Sequence, residues 1–239
     1  MNMARKKYLI VTAGGSGTRM GADLPKQFLD LDGRAILQRT IERFLEACDD
    51  LHILTVLPAE HIAWWRNYCQ MKGFNCPQRI VKGGFTRFHS VKNALAYVPD
   101  GTVVAIHDGV RPLVSAALVR DLFDGMETER ALIPVLPSVD TLKVLEKAPD
   151  GTLRSTDTLL DRSCIYGAQT PQLFRSEDIK AAYTLGYDTR FTDDASVARQ
   201  YGIPLSYKAG ERSNIKITTP EDLVLAEAIL QISGNRSCS

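Results

Sequence analysis

Between Ala13 and Lys26 the chain sets Gly14, Gly15 and Gly17 around Ser16 and Thr18, then adds two cations, Arg19 and Lys26. Glycine reaches backbone conformations that other residues avoid and lets a ligand lie against the main chain. Successive N–H groups in such a loop form a concavity for anions. A polyphosphate spreads its charge over several oxygens, and a nearby Arg and Lys answer that spread with a planar fork and a point charge. The stretch therefore points to a loop that holds a nucleoside triphosphate. The alternative is a glycine-rich surface turn with two solvated cations.

Two familiar phosphate loops do not fit. A P-loop closes on Gly-Lys-Ser/Thr, and Gly17-Thr18-Arg19 lacks the lysine. The dinucleotide fingerprint needs Gly-x-Gly-x-x-Gly, and the run from Gly15 through Gly17 to Gly21 has one residue too many.

Such a loop needs a rigid strand behind it, and residues 8–11 are a short apolar run of that kind. Beyond it, strands and helices alternate, which predicts a parallel sheet with helices on both faces. Residues 35–48 place Ile36, Leu37, Ile41, Phe44 and Leu45 on one helical stripe. Strands are expected over 52–57, 78–81, 103–107, 132–136, 165–169, 205–208 and 215–218. Helices are expected over 59–72 (stopped by Gly73), 87–98, from an N-cap at Ser115 to about 128, over 176–184 with a cap, over 193–201, and from Thr219-Pro220 to about 232. Residues 140–147 and 152–156 alternate about Pro149-Asp150-Gly151, a hairpin signal. A two-stranded ribbon with so few apolar residues does not support itself, so packing on a second copy of the chain is its expected remedy. The fold class is α/β: one Rossmann-like domain over 1–239 with a mainly parallel central sheet, an arm at about 138–160, and a frayed tail over 233–239.

In open α/β sheets ligands bind outside the carboxyl ends of the strands. Those ends carry Ala13-Gly14-Gly15, Gly83-Gly84, Asp108 to Arg111, Thr170-Pro171-Gln172 and Lys216. Two adjacent glycines let backbone donors and acceptors come close enough to a base to tell a pyrimidine from a purine. Ser90, near the first turn of the helix after them, can bond a base or a phosphate, or simply face outward. Asp108 at a strand end can hold a ribose hydroxyl or a magnesium ion, or cap a turn. Arg111 can serve a ligand or brace Asp108, and His107 reads as structural.

Ala13 to Gly21 followed by Leu24-Pro25-Lys26-Gln27-Phe28 resembles the signature loop of sugar and alditol phosphate nucleotidyltransferases. More closely, it resembles the cytidylyltransferases that act on 2-C-methyl-D-erythritol 4-phosphate in the non-mevalonate isoprenoid pathway. The diglycine with Arg87, Ser90 and Val91 resembles their second motif, although Phe85 stands where many relatives carry an acidic or polar residue. His107-Asp108 with Arg111-Pro112, Asp140-Thr141 with Lys143, Asp161-Arg162, Asp193-Asp194-Ala195-Ser196, and Asn214 to Asp222 complete the likeness, which runs from about Tyr8 to Ile232.

The resemblance implies CTP bound by Ala13, Gly14, Gly15, Ser16, Gly17, Thr18, Gly83, Gly84, Ser90 and Asp108. It implies an alditol phosphate held by Asp108, Arg111, Thr141, Arg162, Thr170 and Lys216. Arg19, Lys26, Arg162 and Lys216 are the expected catalytic cations. Mg2+ is the expected cofactor, carried mainly by the CTP phosphates with Asp108 as its candidate protein ligand. The arm is expected to make a homodimer, with Thr141 and Arg162 serving the neighbouring subunit's site. A ribitol 5-phosphate cytidylyltransferase shares nearly all these motifs, and a nucleotide-binding regulatory protein or a Rossmann-type oxidoreductase is the reading outside that class.

Composition limits the rest. A length of 239 residues suits one large domain, and a net charge of +1 gives no support for bulk nucleic-acid or membrane-surface binding. No apolar run approaches the roughly 20 residues of a membrane span. The start is polar and basic without an apolar signal core, so a cytoplasmic enzyme is expected. The 5 cysteines form no Cys-x-x-Cys pair and are expected to be reduced.

Overall fold

The computed structural model describes residues 5–14 and 24–236, the last four of them as backbone only. Gly15, Ser16, Gly17, Thr18 and Arg19 of the expected phosphate loop lie outside the described residues.

The first strand, β1 (Lys7–Thr12), sits mid-sheet, and its Leu9, Ile10 and Val11 are wholly buried because both faces are covered. A two-residue ribbon follows, β2 (Asp30–Leu31) with β3 (Arg34–Ala35), turned by Asp32 and Gly33 at φ 53° and 81°. The chain then runs through α1 (Ile36–Leu45), β4 (Leu51–Leu57), α2 (Ile62–Met71), β5 (Gln78–Lys82), α3 (Arg87–Leu95) and β6 (Val103–Asp108). Next come α4 (Ala116–Gly125), β7 (Ala131–Pro137), a ribbon of β8 (Leu145–Lys147) and β9 (Leu153–Ser155), and β10 (Tyr166–Ala168). Last are β11 (Gln172–Arg175), α5 (Ser176–Ala182), α6 (Asp194–Tyr201), β12 (Ser206–Ala209) and α7 (Pro220–Arg236).

The sheet order is β5-β4-β1-β6-β11-β7. Because Leu132 of β7 pairs with Leu173 of β11 and with Ser206 of β12, β12 must lie on the far side of β7. β10 pairs further along β7, at Val135 to Pro137. β5, β4, β1 and β6 are mutually parallel, as are β7 and β12, whereas β10 and β11 run against their neighbours. Alternate side chains feed two cores. Leu9, Val11 and Ala105 meet α1, α2 and α4 on one face, and Ile10, Val104 and Ile106 meet α3, α5 and α6 on the other. A third cluster packs Ala226 of α7 and Ile217 on Leu31, Ile36 and Val110 beside the carboxyl ends of the strands.

Several expectations need correction. β11 is an additional strand: its four residues are too few to show a period, and the preceding Thr170-Pro171 reads as a turn. Residues 215–218 form no strand, because Ile217 donates to the Val110 carbonyl (2.9 Å) and buries its side chain against α7. The arm ribbon has three residues per strand, fewer than expected. Ser176 does not cap α5; its hydroxyl accepts the Thr102 N–H at 3.0 Å, across from the sheet. α7 runs to Arg236, four residues beyond the expected end of the helix at about 232. Among the described residues no helix is long and apolar enough to cross a membrane.

Candidate active site

The carboxyl ends of β1, β4, β5 and β6 open on a cleft of about 360 Å³. Its wall includes Ala13, Gly14, Lys26, Gly84, Arg87, Ser90, Asp108 and Lys216. A neighbouring lobe of about 720 Å³ adds Pro58, His61, Gly83 and Asn93, and shares Gly14, Gly84 and Ser90 with the cleft.

Each wall is fixed from behind. The Ala13 N–H donates to Val56 O at 3.0 Å, and buried Gln27 donates to Ala13 O at 2.9 Å, which ties the end of β1 to the turn bearing Lys26. Gly83 donates to Leu57 O (2.8 Å) and Gly84 to Ser90 Oγ (3.0 Å). A Cβ on Gly84 would lie 2.4 Å from the Cβ of His89, so only glycine fits there. Ser90 is thus buried and braces the diglycine turn through its hydroxyl. Thr86 caps α3 and aims its first turn, with Arg87, at the cleft.

Asp108 closes β6 with its side chain 9% exposed and three cations around it. Arg111 Nε lies 3.3 Å and Lys216 Nζ 3.0 Å from Oδ2, while Arg87 Nε lies 3.7 Å from Oδ1. Burial alone would raise this carboxyl. Arg87, Lys216 and Arg111 outweigh it and hold Asp108 well below the usual carboxylate range. Asp108 therefore stays ionised and acts as the hub that gathers the cations. Among the described residues, Lys26, Arg87, Arg111 and Lys216 stand against Asp108 and Asp194, a surplus of two cations suited to a polyanion.

Beneath the hub, His107 is wholly buried, and burial lowers its pKa to about 3 despite the pull of Asp108. Its Nε2 lies 3.2 Å from the Arg111 carbonyl, which can only accept, so the neutral ring carries its proton there. Nδ1 then accepts from the Thr170 hydroxyl at 3.0 Å, while Thr170 Oγ1 accepts the Asp108 N–H at 3.1 Å. His107 is structural, as expected. Thr170, expected to touch substrate, is buried with its hydroxyl engaged in holding Asp108. Arg111 both braces Asp108 and donates to Asn214 O at 2.7 Å, and it lines a separate pocket of about 420 Å³ with Ser138, Asp140 and Gln169.

Thr141 and Arg162 are not brought into this cleft. Both are exposed at the base of the arm, where Arg162 Nη2 donates to Val139 O at 2.7 Å. Conversely, Arg87 and Asp194 belong to the site although spacing alone did not single them out. Arg87 stood inside the diglycine motif, and Asp194 in an acidic pair that also reads as an ordinary helix start.

Among the described residues no three His, Cys, Asp or Glu side chains could hold a metal ion. Among the described residues Asp108 is the one carboxylate lining the cleft, and its Oδ2 is taken by two cations. Such a donor set does not build a resident magnesium site. It leaves Oδ1 as a single oxygen for a metal that arrives on a nucleotide. The four described cysteines are free thiols away from the cleft, and burial pushes Cys69 and Cys76 up to about 11.

The IspD family model, described as 2-C-methyl-D-erythritol 4-phosphate cytidylyltransferase, matches residues 8–232. The chain belongs to this family. Two relatives bearing that name extend the likeness over nearly full lengths. The IspD protein of Porphyromonas gingivalis is 45% identical over 95% of this chain and 99% of its own, and that of Phocaeicola vulgatus is 42% identical over 94% and 99%. The solved structure of 4-diphosphocytidyl-2C-methyl-D-erythritol synthase from Anaerococcus prevotii superposes with a TM-score of 0.78 at 28% identity, covering 95% of this chain and 99% of that one. The cytidylyltransferase of Thermus thermophilus gives 0.70 at 30% identity, with 95% and 99% covered. The IspD fold thus accounts for nearly the whole chain, and its strand ends carry the polar cluster built above.

Proposed function

We propose that the protein joins CTP to 2-C-methyl-D-erythritol 4-phosphate, giving 4-diphosphocytidyl-2-C-methyl-D-erythritol and pyrophosphate, as a step of non-mevalonate isoprenoid precursor synthesis in the cytoplasm. A phosphate oxygen of the alditol phosphate attacks the α-phosphorus of CTP, the bond from that phosphorus to the bridging oxygen breaks, and pyrophosphate leaves with the electron pair. The attacking group is already an anion, so no general base is needed. The difficulty lies in bringing two polyanions together while charge grows on the α-phosphoryl oxygens, and positioning with fixed cations answers it.

The observation that carries the reading is the convergence of Lys26, Arg87 and Lys216 on one cleft with Asp108, whose carboxyl is held below the usual range. Lys26 meets the triphosphate and the leaving pyrophosphate, and Arg19, outside the described residues, is assigned the same role from the sequence. Ala13, Gly14, Gly83 and Gly84 present backbone to the nucleotide. Lys216 and Arg111 hold the second phosphate in line. Asp108 Oδ1 would be the protein oxygen offered to a magnesium ion carried by the CTP phosphates, and the ion would supply charge neutralisation there.

Thr141 and Arg162 complete the cleft of a second copy. The arm that bears them has Leu145 and Leu153 half-exposed or more on one face of a ribbon that cannot stand alone. The deciding experiment supplies CTP, Mg2+ and either 2-C-methyl-D-erythritol 4-phosphate or ribitol 5-phosphate, and follows pyrophosphate release. Faster turnover of the methylerythritol compound is expected. Preference for ribitol 5-phosphate reassigns the second substrate, and no release with either sinks the reading.

A further inference from the structure

Phe85 leaves its whole side chain in water, the most exposed large apolar residue among those described. In an isolated chain that placement returns no burial energy. Its backbone is nevertheless held on both sides. The Gly84 N–H donates to Ser90 Oγ at 3.0 Å, and Thr86 accepts the His89 N–H while also bonding the His89 ring Nδ1 at 2.8 Å. An exposed ring on a fixed backbone is a feature prepared for a ligand rather than a loose loop tip.

The ring stands on the ridge where the two cavities meet. Gly14, Gly84, Phe85 and Ser90 border both, and of these Phe85 alone offers an apolar flat surface. One side of the ridge holds the cations for phosphates, Lys26, Arg87 and Lys216. Among the described residues the other side sets a single lysine, Lys82, against Glu60 and presents the Gly83-Gly84 backbone with Pro58 and His61. A nucleoside triphosphate whose phosphates meet the cations and whose base reaches the Gly83-Gly84 backbone crosses that ridge.

We propose that Phe85 is the stacking wall for the base of the bound nucleotide, which it covers with the face of its ring. The proposal rests on the reading of the cleft as a CTP site and goes beyond it by giving the base a specific partner. Every base has a π-face, so stacking on Phe85 supplies affinity without choosing among bases. Choice is left to the backbone groups of Gly83 and Gly84.

The test compares CTP with inorganic tripolyphosphate, which shares the phosphates and lacks the base. Binding of each with Mg2+ is measured by calorimetry on the wild type, Phe85→Ala and Phe85→Tyr. Phe85→Ala should weaken CTP between about fivefold and a hundredfold and leave tripolyphosphate within about twofold, since loss of one stacked aromatic costs that much. Phe85→Tyr should bind CTP like the wild type. Equal losses for both ligands would show that Phe85 merely orders the loop, and unchanged CTP affinity would remove the base from its face; either result overturns the proposal. Dissociation of an assembled wild type by Phe85→Ala would instead make the ring a contact between copies, with the same consequence. A wild type that binds tripolyphosphate but not CTP strikes at the cytidylyltransferase reading itself.

Discussion

Asp194 grips Arg87 with both carboxylate oxygens, at 2.8 and 2.6 Å, and is itself wholly buried. Tyr183 donates a third bond to the same carboxylate at 2.6 Å; burial and that neighbouring charge raise the tyrosine well above its ordinary pKa, so the proton stays. The pair fixes the guanidinium so that its remaining nitrogen, Nε, faces Asp108 at 3.7 Å. Asp194 is in this way a positioning residue for the cleft, two elements removed from it.

Removing Asp194 leaves a largely buried guanidinium without its bidentate partner, and losses of this kind cost about 3–5 kcal/mol. Asp194→Ala should therefore lower the unfolding free energy by that order in urea. Asp194→Asn keeps the shape and loses the charge, so it should destabilise less and still weaken CTP binding because Arg87 is no longer aimed. Full CTP affinity in a folded Asp194→Asn protein would detach Arg87 from nucleotide binding.

His107 makes the fold sensitive to acid. The unfolded chain takes up this proton near pH 6.5, and the folded chain only near pH 3, because burial opposes the charged ring. Stability is thus complete above about 6.5 and drains away as the pH falls toward 3. Asp108, held below the usual carboxylate range, acts in the same direction at the acid end, since its stabilisation is present above that range and lost below it. Between the two His107 values the slope from this residue approaches one proton, about 1.4 kcal/mol per pH unit. Chemical denaturation across that window should show His107→Gln with a slope shallower by about one proton. An unchanged slope would mean that the buried ring is already charged.

The sequence was most legible where one rule acted alone. β1, β4, β5 and β6 announced themselves as apolar runs, and the residues at their ends became the cleft because strand ends are where an open sheet leaves room. β11 was hidden by its brevity, and residues 215–218 misled because an apolar alternation can be buried by a helix as well as by a sheet. Asp108 was readable as an important carboxylate, but its three cations come from α3, the loop after β6 and the segment before α7, and only the fold brings them together. The Arg87–Asp194 pair spans 107 positions, a separation that no local pattern encodes.

Gly84 offers a test of whether the diglycine turn is there for the nucleotide. A Cβ placed there would lie 2.4 Å from His89 Cβ and 3.0 Å from the His89 carbonyl carbon. A methyl group must push the first turn of α3 outward, and overpacking of that sort costs about 1–3 kcal/mol. Gly84→Ala should melt earlier and raise the KM for CTP by about tenfold or more, because the shifted turn carries Arg87 and Ser90. A lowered melting temperature with an unchanged KM would reduce the diglycine to a packing device.

The arm predicts a particular pattern of rescue between inactive chains. Lys26 lines the cleft, and Arg162 sits on the arm base outside it. Lys26→Ala and Arg162→Ala should each lower turnover by roughly two or three orders of magnitude, the usual effect of removing one group that meets transition-state charge. If the arm of one copy completes the cleft of the other, a mixed dimer contains one cleft with intact Lys26 facing an intact Arg162, and a second cleft with both defects. Equal mixing of the two variants after unfolding and refolding together puts half of the chains in mixed dimers, so about a quarter of wild-type turnover should return. If each arm instead serves its own cleft, every site keeps a defect, and the mixture should remain as inactive as its parents.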